Sequence, residues 1–235
     1  MAEHNSKQSR TERADALAHR AFDVLAIGGG IVGAGVARDA AMRGLRVGLV
    51  EQHDFAFGTS SRTSRLLHGG LRYLAQGRLK LVYQASHEKR TLHRIASHLA
   101  EPLAFLFPTY RGTQWPLWKL RIGVRLYDWL CGGQNLGPSA ALGRDETLGL
   151  LPGLAEESLT GAVRYFDGLT NDARLVLDTL RSAADHGAVV ANYTRLEEAS
   201  PGAGGWVCRV RDTESGRGFE VRSRSVVNAT GPWAS

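Results

Sequence analysis

The stretch that decides the fold is IGGGIVGAGVARDAAMRG, from Ile27 to Gly44. It follows FDVLAI (Phe22 to Ile27), a mostly apolar segment that is typical of a short buried strand. Gly28, Gly30 and Gly33 have the GxGxxG spacing, and the small residues after them are typical of a helix that packs closely on a sheet. The pattern therefore predicts a strand, a tight turn and a helix.

Each glycine in this turn has a physical task. One makes the tight turn, one lets the backbone approach a pyrophosphate, and one lets the helix pack on the strand. Free N–H groups and the helix dipole at the helix N-terminus favour the negative charge of a pyrophosphate. The predicted nucleotide-binding residues of the turn are Gly28, Gly29, Gly30, Ile31, Val32 and Gly33.

A second predicted strand, RVGLVEQ, carries an acidic residue at its end. Glu51 comes 23 residues after Gly28, close to the roughly 20 expected for an acid that binds ribose hydroxyls. A carboxylate there disfavours a 2′-phosphate, so the sequence indicates FAD or NAD and excludes NADP. Gln52 adjoins Glu51 and is included among the predicted contacts.

Composition narrows the class of protein. The 235 residues are 43% hydrophobic with a formal charge of +6, which suits a globular chain, and the spread of arginines argues against nucleic-acid binding. No apolar run reaches the roughly 20 residues of a membrane-spanning helix. Residues 1–20 read as a disordered leader without a secretory signal. Cys131 and Cys208 indicate neither a disulfide framework nor a metal site, so we expect no metal and a cytoplasmic location.

A hydroxyl-rich stretch, TSSRTSRLLHGGLRYL (Thr59 to Leu74), continues the chain where a regular βαβ unit would place another helix. Its hydroxyls can donate hydrogen bonds to phosphate oxygens, and a Gly-Gly pair lets the backbone lie against a ring or a phosphate. Composition alone also fits a solvated Ser/Thr loop with a helix N-cap at Ser64.

The two quoted stretches resemble the FAD-dependent glycerol-3-phosphate dehydrogenases, respiratory enzymes that oxidise sn-glycerol 3-phosphate to dihydroxyacetone phosphate and pass electrons to quinone. Three further segments carry the same resemblance: RIGVRLYDWL (Arg121 to Leu130), NDARLVLDTL (Asn171 to Leu180) and VVNATGPWAS (Val226 to Ser235). The resemblance runs from about Phe22 to the last residue.

The resemblance implies an α/β fold with a Rossmann-like FAD-binding domain of the glutathione-reductase and glycine-oxidase type. Residues 21–235 would form the amino-terminal part of that domain, incomplete, with part of an α+β substrate or cap region. The family's substrate residues and its second glycine-rich flavin motif lie in a later half. We therefore expect an amino-terminal fragment that binds FAD weakly and lacks activity in isolation.

The resemblance also assigns residues to the cofactor. The hydroxyl segment and the turn after it would line the flavin and its pyrophosphate, whereas one later strand would contact the adenine and another would end against the dinucleotide. The residues assigned in this way are Thr59, Ser60, Ser61, Ser64, His68, Gly69, Gly70, Leu71, Arg195, Leu196, Ala229, Thr230 and Gly231. His68 is equally well explained as a packing histidine that orients the loop.

The catalytic residues are not determined by the sequence. Oxidation of a secondary alcohol by a flavin needs a proton acceptor and cations that hold the substrate phosphate. His68 and Arg72 are weak catalytic candidates, and Arg65 is a further cation, although surface charge or a structural ion pair explains both arginines.

The aromatic stretch Trp115 to Leu130 predicts an amphipathic helix that places Arg121, Arg125 and Asp128 on one face. It is either buried under another domain or interfacial at the inner face of the cell membrane, where the resemblance implies peripheral attachment. The implied partners are glycerol 3-phosphate and a quinone acceptor, and the oligomeric state stays open. Alternative functions are an amine or amino-acid oxidase of the glycine oxidase type and a nonenzymatic flavin-binding remnant.

The carboxyl-terminal third predicts alternating strands and a helix. SLTGAVRYFDG reads as a strand and turn, and NDARLVLDTLRSAADHG reads as a helix capped by Asn171 or Asp172 and ended by Gly187. VVANYTRLEE reads as one strand, and a hairpin is expected to turn at Glu214 to Gly216.

Overall fold

The computed structural model describes residues 10–68, 76–130, 132 and 135–233, without the side chain of Leu130. The chain divides into two compact units. The first unit contains residues up to Ser64 and those from Asn171 onward, and the second contains Arg65–Thr170. Two stretches that are distant in the sequence therefore form the first unit.

The described residues form six α-helices and ten strands. The helices are α1 (Arg10–His19), α2 (Ile31–Met42), α3 (Leu79–Ile95), α4 (Leu117–Leu130), α5 (Arg144–Leu150) and α6 (Asp172–Asp185). The strands are β1 (Ala21–Ile27), β2 (Val47–Val50), β3 (Leu66–Leu67), β4 (Glu101–Tyr110), β5 (Ala140–Leu142), β6 (Leu159–Leu169), β7 (Val189–Ala191), β8 (Thr194–Gly202), β9 (Gly205–Asp212) and β10 (Gly218–Asn228). Short 3-10 turns lie at Thr59–Ser61, Ser97–Leu99 and Gly231–Trp233.

The described strands of the first unit form one sheet in the order β7-β2-β1-β10-β9-β8. The pairs β7 with β2, β2 with β1 and β1 with β10 are parallel, and the β8-β9-β10 meander is antiparallel. Parallel strands joined through α2 are the arrangement of a Rossmann-like nucleotide-binding fold. The predicted α/β fold class is confirmed.

The two faces of this sheet bury different layers. Ala26 of β1 packs with Ala34 and Ala37 of α2 and with Val176 and Leu180 of α6. Small side chains on α2 let the helix axis come close to the strands, which the alanine-rich sequence predicts.

On the opposite face of the sheet, side chains of the parallel strands and of the meander form one core cluster. Leu25 and Ile27 of β1 alternate with Ala26 and pack against Val210 and Val221, as period-two strand geometry requires. Cys208 is a buried free cysteine in this layer, and burial raises the pKa of its thiol.

Helix α1 also covers this second face, so the prediction of a disordered leader is wrong for its described part. Leu17 is fully buried in the same cluster as Leu25, and Ala14 is buried too. Arg10 ties the start of the helix to the meander by ion pairs to Asp212 and Glu214. Two apolar residues three positions apart are too weak a signal to predict a buried helix. Residues 1–9 of the predicted leader lie outside the described residues.

An ion pair between Arg46 and Asp23 joins the start of β1 to the start of β2. The guanidinium of Arg46 donates two hydrogen bonds to the carboxylate of Asp23, of 3.1 and 3.0 Å. The hydrogen bonds from Arg46 lower the pKa of Asp23 from 3.8 to about 2. The carboxylate therefore stays ionised at neutral pH and keeps the two strands in register at the end remote from the glycine turn.

The helix and the hairpin predicted in the carboxyl-terminal third are present in the structure, but one predicted strand is wrong. Helix α6 begins after Asn171, whose side chain accepts a hydrogen bond from the Arg174 amide, and Gly187 follows it with a φ of +92°. The predicted hairpin is confirmed between β9 and β10. The single strand predicted from VVANYTRLEE is wrong, because Tyr193 has a φ of +50° that separates β7 from β8.

The second unit contains a smaller antiparallel sheet. Strand β6 pairs with β4 along most of its length and with the short strands β3 and β5 on its other side. Tyr127 of α4 is fully buried and Val82 of α3 likewise. The sequence predicts α4 and β6, although β6 continues through Leu169 where the sequence predicts a turn. It does not predict β4, whose apolar residues follow no simple alternation.

Candidate functional site

The glycine turn is held in a conformation that leaves no room for side chains. Gly28 has a φ of +112°, and a Cβ added there would lie 2.5 Å from the carbonyl oxygen of Ala229. A Cβ on Gly33 would lie 1.9 Å from the carbonyl oxygen of Gly28. The end of β1, the start of α2 and the end of β10 therefore meet at van der Waals distance only because these positions are glycine.

The Glu51 carboxylate is held in place by hydrogen bonds from two backbone amides. One carboxylate oxygen accepts a hydrogen bond of 2.7 Å from the Gly29 amide, and the other accepts one of 2.8 Å from the His53 amide. Each oxygen retains a second lone pair. The carboxylate can thus accept hydrogen bonds from ribose hydroxyls, and its charge repels a 2′-phosphate.

The N-terminus of α2 is open and electropositive. Ser60, which is buried, accepts a hydrogen bond of 3.0 Å from the Ile31 amide through its side-chain oxygen. The amides of Val32 and Gly33 have no acceptor among the residues that the structure describes. Ile31 and Val32 are exposed, so an anion can reach these donors.

The end of β10 completes the edge beside the glycine turn. The Ala229 amide donates a hydrogen bond of 2.8 Å to the carbonyl of Ile27. Asn228 holds the next residue, because its side-chain oxygen accepts from both the amide and the hydroxyl of Thr230. Gly231 then begins a 3-10 turn with a φ of +69°. Ala229, Thr230 and Gly231 thus lie at the edge of the sheet that carries the glycine turn, and their contact with the dinucleotide stays a prediction.

The remaining predicted cofactor residues between Gln52 and Ser64 either bond to their own turn or are exposed. Thr59 lies in the same 3-10 turn as Ser60, but the Ser61 hydroxyl donates to the carbonyl oxygens of Phe57 and Gly58. Gln52 and Ser64 are exposed. For these residues a role at the cofactor stays a prediction.

The predicted adenine contacts lie on β8. The Arg195 guanidinium forms an ion pair of 3.6 Å with Glu197. Leu196 packs against the core cluster that contains Val210 and Val221. Both side chains are therefore engaged with the protein. Contact through their backbone stays a prediction.

His68 belongs to the second unit. It is exposed and directly follows β3, which pairs with the end of β6. Gly69, Gly70, Leu71 and the catalytic candidate Arg72 lie outside the described residues. Their predicted roles therefore stay predictions.

Sequence reasoning misses three residues at this edge of the first unit. A Cβ on Gly29 would meet the Phe55 ring at 2.8 Å, and one on Gly58 would meet the Trp233 ring at the same distance. Asn228, which holds Thr230, is the third. Aromatic and amide residues beside glycines carry no distinctive pattern, although an Asx residue two positions before a turn amide is a usable signal.

Comparison with known proteins identifies the family. A family model described as FAD dependent oxidoreductase matches residues 23–235. This chain belongs to the FAD-dependent oxidoreductase family.

Among the described residues, no group of three or more histidine, cysteine, aspartate or glutamate side chains could hold a metal ion.

Relatives within the family are longer than this chain. It is 46% identical over 217 residues to glycerol-3-phosphate dehydrogenase of Mycobacterium leprae (strain TN), covering 90% of this chain and 36% of that protein. It is 41% identical over 226 residues to the mitochondrial enzyme of Homo sapiens, covering 90% and 31%. The chain thus spans about a third of the length of these relatives.

A solved structure shows the same fold. The glycerol-3-phosphate dehydrogenase from Bacillus halodurans, complexed with FAD, superposes with a TM-score of 0.73 at 30% identity, over 95% of this chain and 37% of that one. Glycine oxidase from Bacillus cereus superposes with a TM-score of 0.57 at 26% identity, over 90% and 56%.

The residues of this FAD-dependent oxidoreductase fit their cofactor. The close glycine turn, the two unmatched amides of α2 and the fixed Glu51 carboxylate suit a pyrophosphate joined to a ribose. Gly28 to Gly33 would hold the pyrophosphate, and Glu51 would hold the ribose hydroxyls of the adenosine half.

We predict that Gly33→Ala strongly weakens FAD binding. The new methyl group would overlap the Gly28 carbonyl oxygen, so α2 must move away from β1. We expect the dissociation constant, measured by quenching of FAD fluorescence, to rise by at least about a hundredfold, which corresponds to roughly 2.7 kcal/mol.

Gly35→Ala is the matched control for this substitution. Gly35 lies two residues further along α2, and a Cβ there would meet nothing within 4 Å. We expect unchanged binding of FAD. Equal binding by wild type and Gly33→Ala would contradict the arrangement of the turn.

Proposed function

We propose that the full-length protein oxidises sn-glycerol 3-phosphate to dihydroxyacetone phosphate and passes the electrons to a quinone in glycerol catabolism. The observation that carries the proposal is the identity of 41% to 46% with proteins named glycerol-3-phosphate dehydrogenase over 90% of this chain. The geometry is consistent with it, since the FAD-binding turn, Glu51 and the end of β10 form one edge.

The chain's own residues would bind and orient rather than perform the redox step. When bound, FAD supplies the acceptor for the hydride from the substrate carbon. The amides of Val32 and Gly33 would neutralise the pyrophosphate charge, and the Glu51 carboxylate would fix the ribose. We propose His68 as a group that accepts the hydroxyl proton, and Arg65 or Arg72 as a cation for the substrate phosphate.

Residues beyond these 235 would complete the substrate site, because the relatives are about three times as long. The second candidate function is oxidation of an amine or amino acid with oxygen as acceptor. It is favoured only by the shared fold with glycine oxidase. A flavin-binding protein without activity is the third.

We predict that glycerol 3-phosphate bleaches the flavin absorption of the anaerobic, FAD-loaded full-length protein. Glycine and sarcosine should leave the absorption unchanged, because neither offers a phosphate or a secondary alcohol. The absorbance near the oxidised flavin maximum is recorded after each addition. Bleaching by glycine would favour the oxidase, and no bleaching by any of the three would favour the protein without activity.

The exposed side of α4 supports a proposal about where this enzyme meets its quinone. Within the described residues, no helix combines the length and apolar character needed to cross a bilayer. One side of α4 is packed through Val124 and Tyr127, whereas Trp118 and Trp129 are 61% and 75% exposed. Burial of this side under another domain of the full-length protein is the alternative.

We propose that this exposed side, which we call the tryptophan face, lies in the headgroup region of an anionic membrane. It consists of Trp118, Ile122, Leu126 and Trp129, with Lys119, Arg121 and Arg125 also exposed on the helix. Tryptophan suits the boundary between headgroups and acyl chains, and the cations attract anionic lipid. Peripheral attachment at the inner face of the cell membrane would bring the protein to its quinone.

We predict that replacing Trp118 and Trp129 together by serine weakens binding to vesicles that contain phosphatidylglycerol. Burial of each indole stabilises the bound state by about 1.5–3 kcal/mol, so the loss should exceed about tenfold in a sedimentation assay. Trp206→Ser is the control, since Trp206 is also partly exposed but lies on β9. Equal binding by the double variant and the control would contradict the proposal, as would a tryptophan face that the rest of the protein covers.

A further inference from the structure

The second unit contains a buried ion pair that the proposed function does not use. The ammonium group of Lys89, on α3, lies 2.8 Å from a carboxylate oxygen of Asp167, on β6, and the two side chains are 2% and 8% exposed. Lys89 also donates to the carbonyl oxygen of Phe166 at 3.2 Å and to the hydroxyl of Tyr127 at 3.4 Å. The ammonium group therefore joins α3, α4 and β6.

Such a pair contributes little to stability. Removing two charges from water costs several kcal/mol per ion, and their mutual attraction often only offsets that cost. A well-packed apolar pair would hold the same helix on the sheet as strongly. Directional charged contacts do, however, select one arrangement of the groups they join, so the question is which part of the structure needs that precision.

Asp167 stands beside the place where β6 holds β3. The next two residues of β6, Gly168 and Leu169, pair with Leu67 and Leu66. The Thr170 amide then donates a hydrogen bond of 2.9 Å to the carbonyl of Arg65. The strand that leads directly into His68 is thus attached to β6 just after the ion pair.

The two residues of β6 that follow Asp167 bury little side chain of their own. Gly168 has no side chain and is in contact range of Leu67, where a Cβ would lie 3.1 Å from that residue's Cβ. Leu169 is 37% exposed. The buried carboxylate of Asp167 therefore ties this end of β6 to α3, in addition to the pairing of β6 with β4.

We propose that the Lys89–Asp167 ion pair is a positioning element for His68. It holds the end of β6 in one orientation, β6 holds β3 through its pairing, and β3 sets the backbone position from which the His68 imidazole extends. The inference rests on the proposed function for the role of His68. Lys89 and Asp167 themselves act through His68 and are not catalytic residues.

The first test measures the position of β3 without any activity. In the double variant Lys89→Met and Asp167→Leu, apolar side chains replace both charges, so the unit should stay folded. We expect the amide of Leu67 to exchange with deuterium at least about tenfold faster than in wild type, a loss of about 1.4 kcal/mol of local protection. We also expect the chemical shifts of the His68 ring to change.

The control variant removes a partly buried polar pair at the opposite end of β6. Thr109 and Thr160 share a hydrogen bond of 2.7 Å, and Thr109 is 1% exposed. Replacing both by valine should leave Leu67 exchange and the His68 shifts unchanged. Lys89→Arg keeps the charge and should retain wild-type exchange. If the double variant does not fold, Asp167→Asn, which keeps the shape of the side chain, is measured instead.

The second test is a double-mutant cycle in the FAD-loaded full-length protein with His68→Asn. If the ion pair acts through His68, its replacement should lower kcat for glycerol 3-phosphate about tenfold in wild type and leave the His68→Asn protein unaffected. The valine control should lower neither.

Outcomes of the two tests separate this inference from the proposed function. Leu67 exchange equal to that of the control overturns the positioning role, as do effects on kcat that simply add. If the Leu67 amide exchanges faster in the double variant but the wild-type protein does not oxidise glycerol 3-phosphate, the positioning of His68 is supported and the proposed substrate is overturned.

Discussion

The close approach of α2 to β1 is the constraint on which the rest of this structure depends. At Gly33 the helix backbone comes so near to the Gly28 carbonyl that a methyl group would lie 1.9 Å from the oxygen. That contact aims the first amides of α2 at the space beyond the strands and places Glu51 within 2.7 Å of the Gly29 amide. The electrostatic consequence is a group of backbone amides that favours an anion, with a carboxylate beside it that can accept hydrogen bonds from ribose.

The arrangement also explains why the first unit needs elements far apart in the sequence. Strand β10 closes against β1 on the side of Gly28, and the 3-10 turn that carries Ser60 closes the start of α2. Helix α1 packs on the face of the sheet that α2 and α6 leave open, in one cluster with side chains of the meander. The glycine turn is therefore supported by residues that are far apart in the sequence.

Much of this could be predicted from the sequence where a local rule applies. The glycine spacing, the small residues of α2 and the acid after β2 each have a direct physical cause, and the structure has all three features at the expected positions. Long-range packing was harder to predict. Helix α1 is held by Leu17 and Arg10, and the partner of Arg10, Asp212, is 202 residues away in the chain. Strand β4 carries no alternation because its pattern is set by both faces of a small sheet.

Ion pairs and loop contacts were the least predictable features. Lys89 reads as one more charge on a polar helix, and only the fold brings it to Asp167 on β6. Tyr193 interrupts a predicted strand because its left-handed conformation is not encoded by residue type. The hydroxyl-rich segment is predicted as a group, yet its members differ: Ser60 meets α2, and Ser61 satisfies carbonyl groups of its own turn.

Competition between nucleotides for the purified 235-residue chain tests the central claim most directly. If the diphosphate and ribose lie on α2 and Glu51, ADP should displace FAD, because ADP contains the half of the cofactor that these residues hold. The recovery of FAD fluorescence measures the displacement. Riboflavin, which lacks that half, should not displace FAD at the same concentration. Displacement by riboflavin and none by ADP would contradict the account.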